Sequence, residues 1–410
     1  MIIWLLALVL FVCLGYMGWC FGAIRVAGSV IGVILGALLA FPLGHIFAPI
    51  ITATGEKNPV VVWLVGPFLA FLLVVIIFKI VGFAVHQKVD VHYKYKEGDL
   101  RQGLWLRLNQ RLGVCLGVVN AAAYFILISW VIYAFSYWTV QVVSGGEAAW
   151  YVKLLNDAGK NLQSSGMAKV SAAIDPLPVD YYRAADIVGL IYHNDLLESR
   201  LTHYPAFLAL GERGEFQDIG NDKDFTELRQ RQPPFMDILN NSKAQNILNN
   251  PDELKEIWGI AKPDLVDLNA YLKTGQSATY DSEKILGRWD FNPNAALNVI
   301  KRTKTDITPQ DLLRTKQYIS LSFSKTTLVA TPAPNRVAFL KDFGKIHPAT
   351  KPNTAPTIDI QSFHGTWTGS DGKYQFSFPD KEQGGTLDAV VEGDRLTITG
   401  DVYPLVFDRE

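Results

Sequence analysis

"AGSVIGVILGALLAFPLG", residues 27 to 44, places Gly28, Gly32, Gly36, Ala40 and Gly44 at every fourth position of an apolar run. On a water-exposed helix each glycine costs up to about 1 kcal/mol relative to alanine, so the ladder makes no sense as a soluble surface. In lipid the balance changes. No hydrophobic force drives one apolar helix onto another there, and a small-xxx-small ridge gains packing energy by letting backbones approach. The stretch reads as a contact face of a membrane helix, used within the chain or between copies of it. Gly113 and Gly117 form a second, shorter ridge of the same kind.

Apolar runs reach spanning length four times, at Ile2 to Cys20, Val26 to Ala53, Pro59 to Ala84 and Leu112 to Val140. Each passes the roughly 18 residues that separate a membrane helix from a buried soluble one. The first run has no basic flank before it, and bulky Trp19 stands before Cys20 where a cleavage site needs a small residue. It reads as an uncleaved helix. Charge then gives an orientation. Residues 1 to 140 hold nine Lys or Arg against four acids, and seven of the nine lie between Lys79 and Arg111. Basic loops stay cytoplasmic, so the 21 to 25 and 85 to 111 loops are expected inside, with the N-terminus and everything after 140 outside. Trp130, Tyr133, Tyr137 and Trp138 fall where the fourth helix would leave the bilayer, as an interfacial aromatic belt would. The remaining 270 residues are net acidic, and nucleic acid is excluded as a partner by that balance.

Few polar residues enter the spans. Arg25, Lys79 and His45 can snorkel to an interface, whereas Asn120 cannot and reads as an interhelical hydrogen bond. No span contains an Asp or Glu, which argues against a proton-driven carrier. The three cysteines, Cys13, Cys20 and Cys115, all lie in apolar runs, so the large C-terminal part needs no disulfide.

"GAIRVAGSVIG" (22 to 32) and "LNQRLGVCLGVVNA" (109 to 122) together resemble the CvpA family, the colicin V production proteins. The resemblance covers the first third of the chain. It implies a four-helix inner-membrane protein connected with colicin or toxin production, export, envelope integrity or biofilm formation. Two departures stand out: the turn lacks the usual Arg/Lys-Gly pair, and Asn109 occupies a position where an acidic residue commonly precedes the Leu-Gly.

From residue 147 to about 280 the apolar residues recur three or four apart, as in "AADIVGLIYHNDLLESRL" and "PDELKEIWGIA", with caps and breakers between. Five or six short helices are expected. His193, Asp195, Glu198 and His203 cluster in sequence, but a spacing of five makes helical side chains diverge, so no metal is expected there. After Lys284 the period becomes two, and nine segments read as strands: "GRWDF", "YISLSF", "TTLVATP", "RVAFL", "FHGTWTG", "KYQFSF", "TLDAVV", "DRLTITG" and "VYPLVFD". The stretch from 344 to 357, with three Pro and three Thr, reads as an extended connection. Gly-x-Trp occurs at 287 to 289 and again at 365 to 367, which suggests a duplicated β-unit and resembles the lipocalin signature.

The expected architecture is multi-domain: an all-α four-helix transmembrane module (1 to 146), an α-helical extracytoplasmic region (147 to 284), and an antiparallel all-β barrel or sandwich (285 to 410). Its partners would be the lipid bilayer and either a second copy or another envelope protein. A small apolar ligand inside the β region would meet Trp289, Trp367, Tyr374 and Phe376. Neither a G-x-S-x-G nor a G-[DN]-S-G motif follows residue 140, so a non-enzymatic protein without a cofactor is expected. The alternative is a channel or transport component built from oligomerised transmembrane helices.

Overall fold

The computed structural model describes residues 2–56, 58–143, 149–303, 307–333, 336–347, 357–379, 386–399 and 403–410. They form two compact units, Met1–His193 with Glu227–Trp258, and Asn194–Thr226 with Gly259–Glu410. The stretch read as a middle domain, 147 to 284, is thus divided between the two.

The first unit opens with α1 (Ile2–Phe21), α2 (Ala23–Gly44), α3 (Ala48–Ala53), α4 (Pro59–Lys96) and α5 (Asp99–Gln141). α1, α2 with α3, α4 and α5 make four helical segments long and apolar enough to cross a membrane. Their outward faces are apolar: Leu5, Leu8 and Val12 on α1 and Ile34 and Leu38 on α2 are all exposed, the inverse of a soluble protein. The helices pack as two antiparallel pairs. Gly18 of α1 meets Gly113 of α5 and Ile3 clusters with Phe125, while Gly28 and Gly44 of α2 meet Gly82 and Gly66 of α4.

The 85 to 111 segment, expected to be a loop, is helical except for a tight turn at Glu97 and Gly98. Nothing in "HQKVDVHYKYK" breaks a helix, so the loss of hydropathy marks where the apolar core ends and not where the helix does. At 1.5 Å per residue the 38 residues of α4 run about 57 Å and the 43 of α5 about 64 Å, about twice a 30 Å hydrocarbon layer. Only the middle of α5 runs beside the 20 residues of α1. Its last turns are covered instead by α6 (Trp150–Ser164), α7 (Met167–Ala173) and α8 (Val179–His193).

The helical stretch continues with α9 (Leu196–His203), α10 (Leu208–Gly211), α11 (Gly214–Gly220), α12 (Lys223–Gln230), α13 (Phe235–Leu239), α14 (Ser242–Leu248) and α15 (Pro251–Thr274). Among the described residues that is ten helices where five or six were expected. The breakers at 204 to 205, 211 to 214, 220 to 222, 231 to 234, 240 to 241 and 249 to 251 each end a helix within about two turns.

The second unit ends in a closed antiparallel barrel, β1 (Gly287–Phe291), β2 (Thr327–Ala330), β3 (Val337–His347), β4 (Thr357–Ser370), β5 (Lys373–Ser377), β6 (Thr386–Glu392), β7 (Arg395–Ile398) and β8 (Leu405–Arg409). Each strand pairs with the next and β8 closes on β1, with Phe407 opposite Phe291. Between β1 and β2 lie α16 (Pro293–Thr303) and α17 (Pro309–Phe323). Eight of the nine expected strands are present. The ninth, "YISLSF", is the end of α17, because Thr315, Ile319, Ser322 and Phe323 are buried at helical spacing and Thr308 caps the helix by accepting from the Asp311 N–H at 3.2 Å. A six-residue alternation satisfies both periods; the cap decides. Of the connection expected at 344 to 357, the ends are the last residues of β3 and the first of β4, and 348 to 356 lie outside the described residues.

Candidate functional site

The small residues of the membrane module meet backbone. A methyl group on Gly28 would lie 2.8 Å from the Phe78 carbonyl oxygen, one on Gly44 2.8 Å from the Pro67 nitrogen, and those on Gly32 and Gly36 3.0 Å from the side chains of Phe78 and Phe71. Ala40 is buried on the same face. Gly113 and Gly117 play this part on α5, where an added Cβ would run into the carbonyls of Gly18 and Leu14. Both ridges face helices of the same chain. Their counterparts were not singled out from the sequence: Gly66 and Gly82 on α4, and Gly15 and Gly18 on α1. The i, i+4 row Gly66, Ala70, Val74, Phe78, Gly82 was a readable signal, blurred by two bulky members.

Asn120, Arg25 and Asn109 each meet a neighbouring helix, whereas His45 and Lys79 are exposed. Asn120 of α5 donates to Ser29 of α2 at 3.3 Å, both buried. Arg25 lies over the Phe83 ring, 4.9 Å from its centroid. Asn109, where the family resemblance leads one to expect an acid, accepts from the backbone N–H of Ala23 at 2.8 Å and so caps α2 from another helix. That cap closes on Gly22, whose φ of 81° and contact with the Asn109 amide leave no room for a side chain.

The aromatic residues at the end of α5 bind protein. Trp130 donates to Asp175 at 2.8 Å, and Tyr137 and Gln141 donate to Asp186 at 2.8 and 2.9 Å. Tyr182 donates to the other oxygen of Asp175, and Tyr181 donates to the Ala134 carbonyl at 3.1 Å. Two carboxylates thereby clasp α8 and the segment before it onto α5. Burial, reinforced by Asp175, pushes the Tyr181 hydroxyl up to about 12, and burial likewise raises Tyr182.

In the barrel, Trp289, Trp367, Tyr374 and Phe376 are buried within one hydrophobic cluster shared with α16 and α17. The two Gly-x-Trp tryptophans have the same surroundings. Trp289 donates its indole N–H to the Ile285 carbonyl at 2.8 Å with the Arg409 guanidinium 4.4 Å above its ring; Trp367 donates to the Thr331 carbonyl at 2.8 Å with Arg336 5.0 Å above. Arg409 also donates to the carbonyls of Leu286 and Lys284 at 2.9 and 2.7 Å, tying the last strand to the segment before the first. Tyr374 donates to Glu283 at 2.6 Å, and burial together with that carboxylate pushes its hydroxyl up to about 12.

No protein-family model, curated protein or solved structure matches the chain.

Two further polar centres hold the helices of the second unit. Glu212, its side chain 5% exposed, accepts from Arg288 and Lys341 at 2.5 Å each. Asp267 accepts from Tyr204 at 2.9 Å, Ser277 at 2.5 Å and the Thr279 N–H at 3.3 Å. Burial pushes the Asp267 carboxyl up, but these hydrogen bonds outweigh it and hold it below the ordinary carboxylate range. Asp195 caps α9 at 3.1 Å and His203 contacts the Ser199 carbonyl at 2.7 Å, so both serve their own helix. Among the described residues no group of three His, Cys, Asp or Glu is placed to hold a metal ion.

Proposed function

We propose that this is a CvpA-type protein of the bacterial inner membrane that presents a helical and β-barrel region outside the cytoplasm for binding or assembly, without catalysis. Its physiological setting would be colicin or toxin production, export or envelope integrity. The observation that carries the reading is the construction of the module: two glycine-packed antiparallel helix pairs with apolar outward faces, followed by a long C-terminal region. The concentration of Lys and Arg between Lys79 and Arg111, around the α4 to α5 turn, supports the orientation. The channel alternative loses one of its supports, because the ridges that would bring copies together are used inside the chain. Dense packing of Trp289, Trp367, Tyr374 and Phe376 favours the outer surface of the barrel as the binding face over a ligand in its lumen.

The test is crosslinking in intact cells from photoreactive residues on the barrel surface, combined with flux through liposomes holding the purified chain. A discrete crosslinked species and sealed liposomes are expected. An isolated monomer with no crosslinked partner, or solute flux, would overturn the proposal.

A further inference from the structure

The helices that follow the spans stay beside them. Leu162 of α6 shares one buried cluster with Ile3 and Ala7 of α1 and Phe125 of α5, and Met167 and Ala168 of α7 pack against it, as do Leu10 and Phe11. α1, with 20 residues, is about 30 Å long, the thickness of a hydrocarbon layer, so Ile3 stands at one face of that layer. The turn between α6 and α7 lies at the same face. α2 and α5 agree on the level. From Asn109, which caps Ala23 at the start of α2, to Trp130, α5 rises about 32 Å, and the Trp130 ring lies 6.3 Å from Phe41 near the end of α2. Asp175, just after α7, accepts from Trp130 at 2.8 Å. Tyr181, at the start of α8, donates to the Ala134 carbonyl at 3.1 Å, about 6 Å further along α5, and its ring lies 6.1 Å from Trp63 in the first turns of α4. α7 and its connection to α8 are thereby held where acyl chains give way to headgroups.

What this segment exposes is apolar. Val170, Ile174 and Val179 are 40%, 50% and 63% exposed, and Pro176 and Pro178 between them are exposed as well. Facing water, that surface would go unburied; at the edge of a hydrocarbon layer it is covered by lipid, as the outward faces of the neighbouring spans are. Charge points to the same cover. Between Ala158 and Val179 the charged residues are Lys160, Lys169 and Asp175. Asp175 is held by Trp130 and Tyr182, which leaves two exposed cations and no exposed carboxylate. A lysine stem can lie along apolar surface while its ammonium reaches a phosphate. We propose that α7 and its connection to α8 form an interfacial anchor on a phospholipid surface: Val170 and Ile174 enter the acyl boundary of one leaflet, Val179 lies nearer the headgroups, and Lys160 and Lys169 turn to the phosphates. The inference rests on the reading of α1, α2 and α5 as spans, not on which end of them faces the cytoplasm.

The test is electron paramagnetic resonance of the full chain in vesicles of phosphatidylglycerol and phosphatidylcholine, with Cys13, Cys20 and Cys115 replaced by serine and a single nitroxide label. Relaxation by oxygen, which concentrates in hydrocarbon, is compared with relaxation by a water-soluble nickel chelate. Labels on Val170→Cys and on Ile174→Cys should favour oxygen and report depths of about 5–10 Å; these sites are exposed and read independently, so one variant that fails to assemble leaves the other. Two controls frame them. Asn156 accepts from Thr139 at 2.6 Å, which puts its exposed neighbour Asp157 about 14 Å beyond Trp130 along α5, so a label on Asp157→Cys should favour nickel. A label on Leu8→Cys, on the outward face of α1, should favour oxygen. Oxygen at Leu8 with nickel at 170 and 174 overturns the anchor alone, whereas nickel at Leu8 overturns the spans and the anchor with them. Labels at 170 and 174 that neither relaxant reaches mark a face covered by protein, from a second copy or another chain, and overturn the proposal equally.

Discussion

Two glycines on α5 mark how differently one residue type behaves. Gly113 lies against the backbone of Gly18, so Gly113→Ala overpacks the contact and should cost about 1–3 kcal/mol, read as a lower midpoint in detergent unfolding. Gly103 has open space where a Cβ would stand, and Gly103→Ala should stabilise the helix by up to about 1 kcal/mol in the same assay. Asp267 yields a pH prediction. Its carboxyl is held below the ordinary range, so its hydrogen bonds stabilise the fold fully above about pH 4, and that contribution is lost as pH falls through the lower folded-state value. Asp267→Asn should lower the thermal midpoint at neutral pH and flatten its fall in acid, as followed by tyrosine circular dichroism. The ladder on α2 was legible because all its members are small. Asn109 was legible only as a departure from a family pattern, since its partner is a backbone N–H 86 residues away.

At the level of elements, the periods of the sequence located all eight strands of the barrel, added one that is helical, and missed helix lengths. α4 and α5 continue past their apolar runs because hydropathy reports the solvent, while breakers and caps decide where a helix stops. α17 was lost to a short alternation that its Thr308 cap overrides. The clasp on α5 was invisible because it joins Trp130, Tyr137 and Gln141 to carboxylates 45 to 49 residues away. Asp175→Ala, which strands Trp130 and Tyr182, should cost about 1–3 kcal/mol and open the α7 to α8 connection to limited proteolysis. In the barrel, Trp289→Ala empties a fully buried site beneath Arg409 and should cost about 3–5 kcal/mol in denaturant unfolding.

For the whole molecule, the order of a membrane module, helices and a β-barrel follows from three changes in pattern: uninterrupted apolar runs, a helical period, and a period of two. The two-unit partition does not, because each unit joins segments far apart in sequence, Met1–His193 with Glu227–Trp258 and Asn194–Thr226 with Gly259–Glu410. α5 is long and apolar enough to cross a bilayer, and the topology proposed above puts the α4 to α5 turn in the cytoplasm and the barrel outside it. The most direct measurement is labelling of Lys96→Cys and Ser370→Cys by a membrane-impermeant thiol reagent in intact cells, with Cys13, Cys20 and Cys115 replaced by serine. Ser370→Cys labelled and Lys96→Cys protected until the cells are opened is the expected result; labelling of both, or of Lys96→Cys alone, would contradict it.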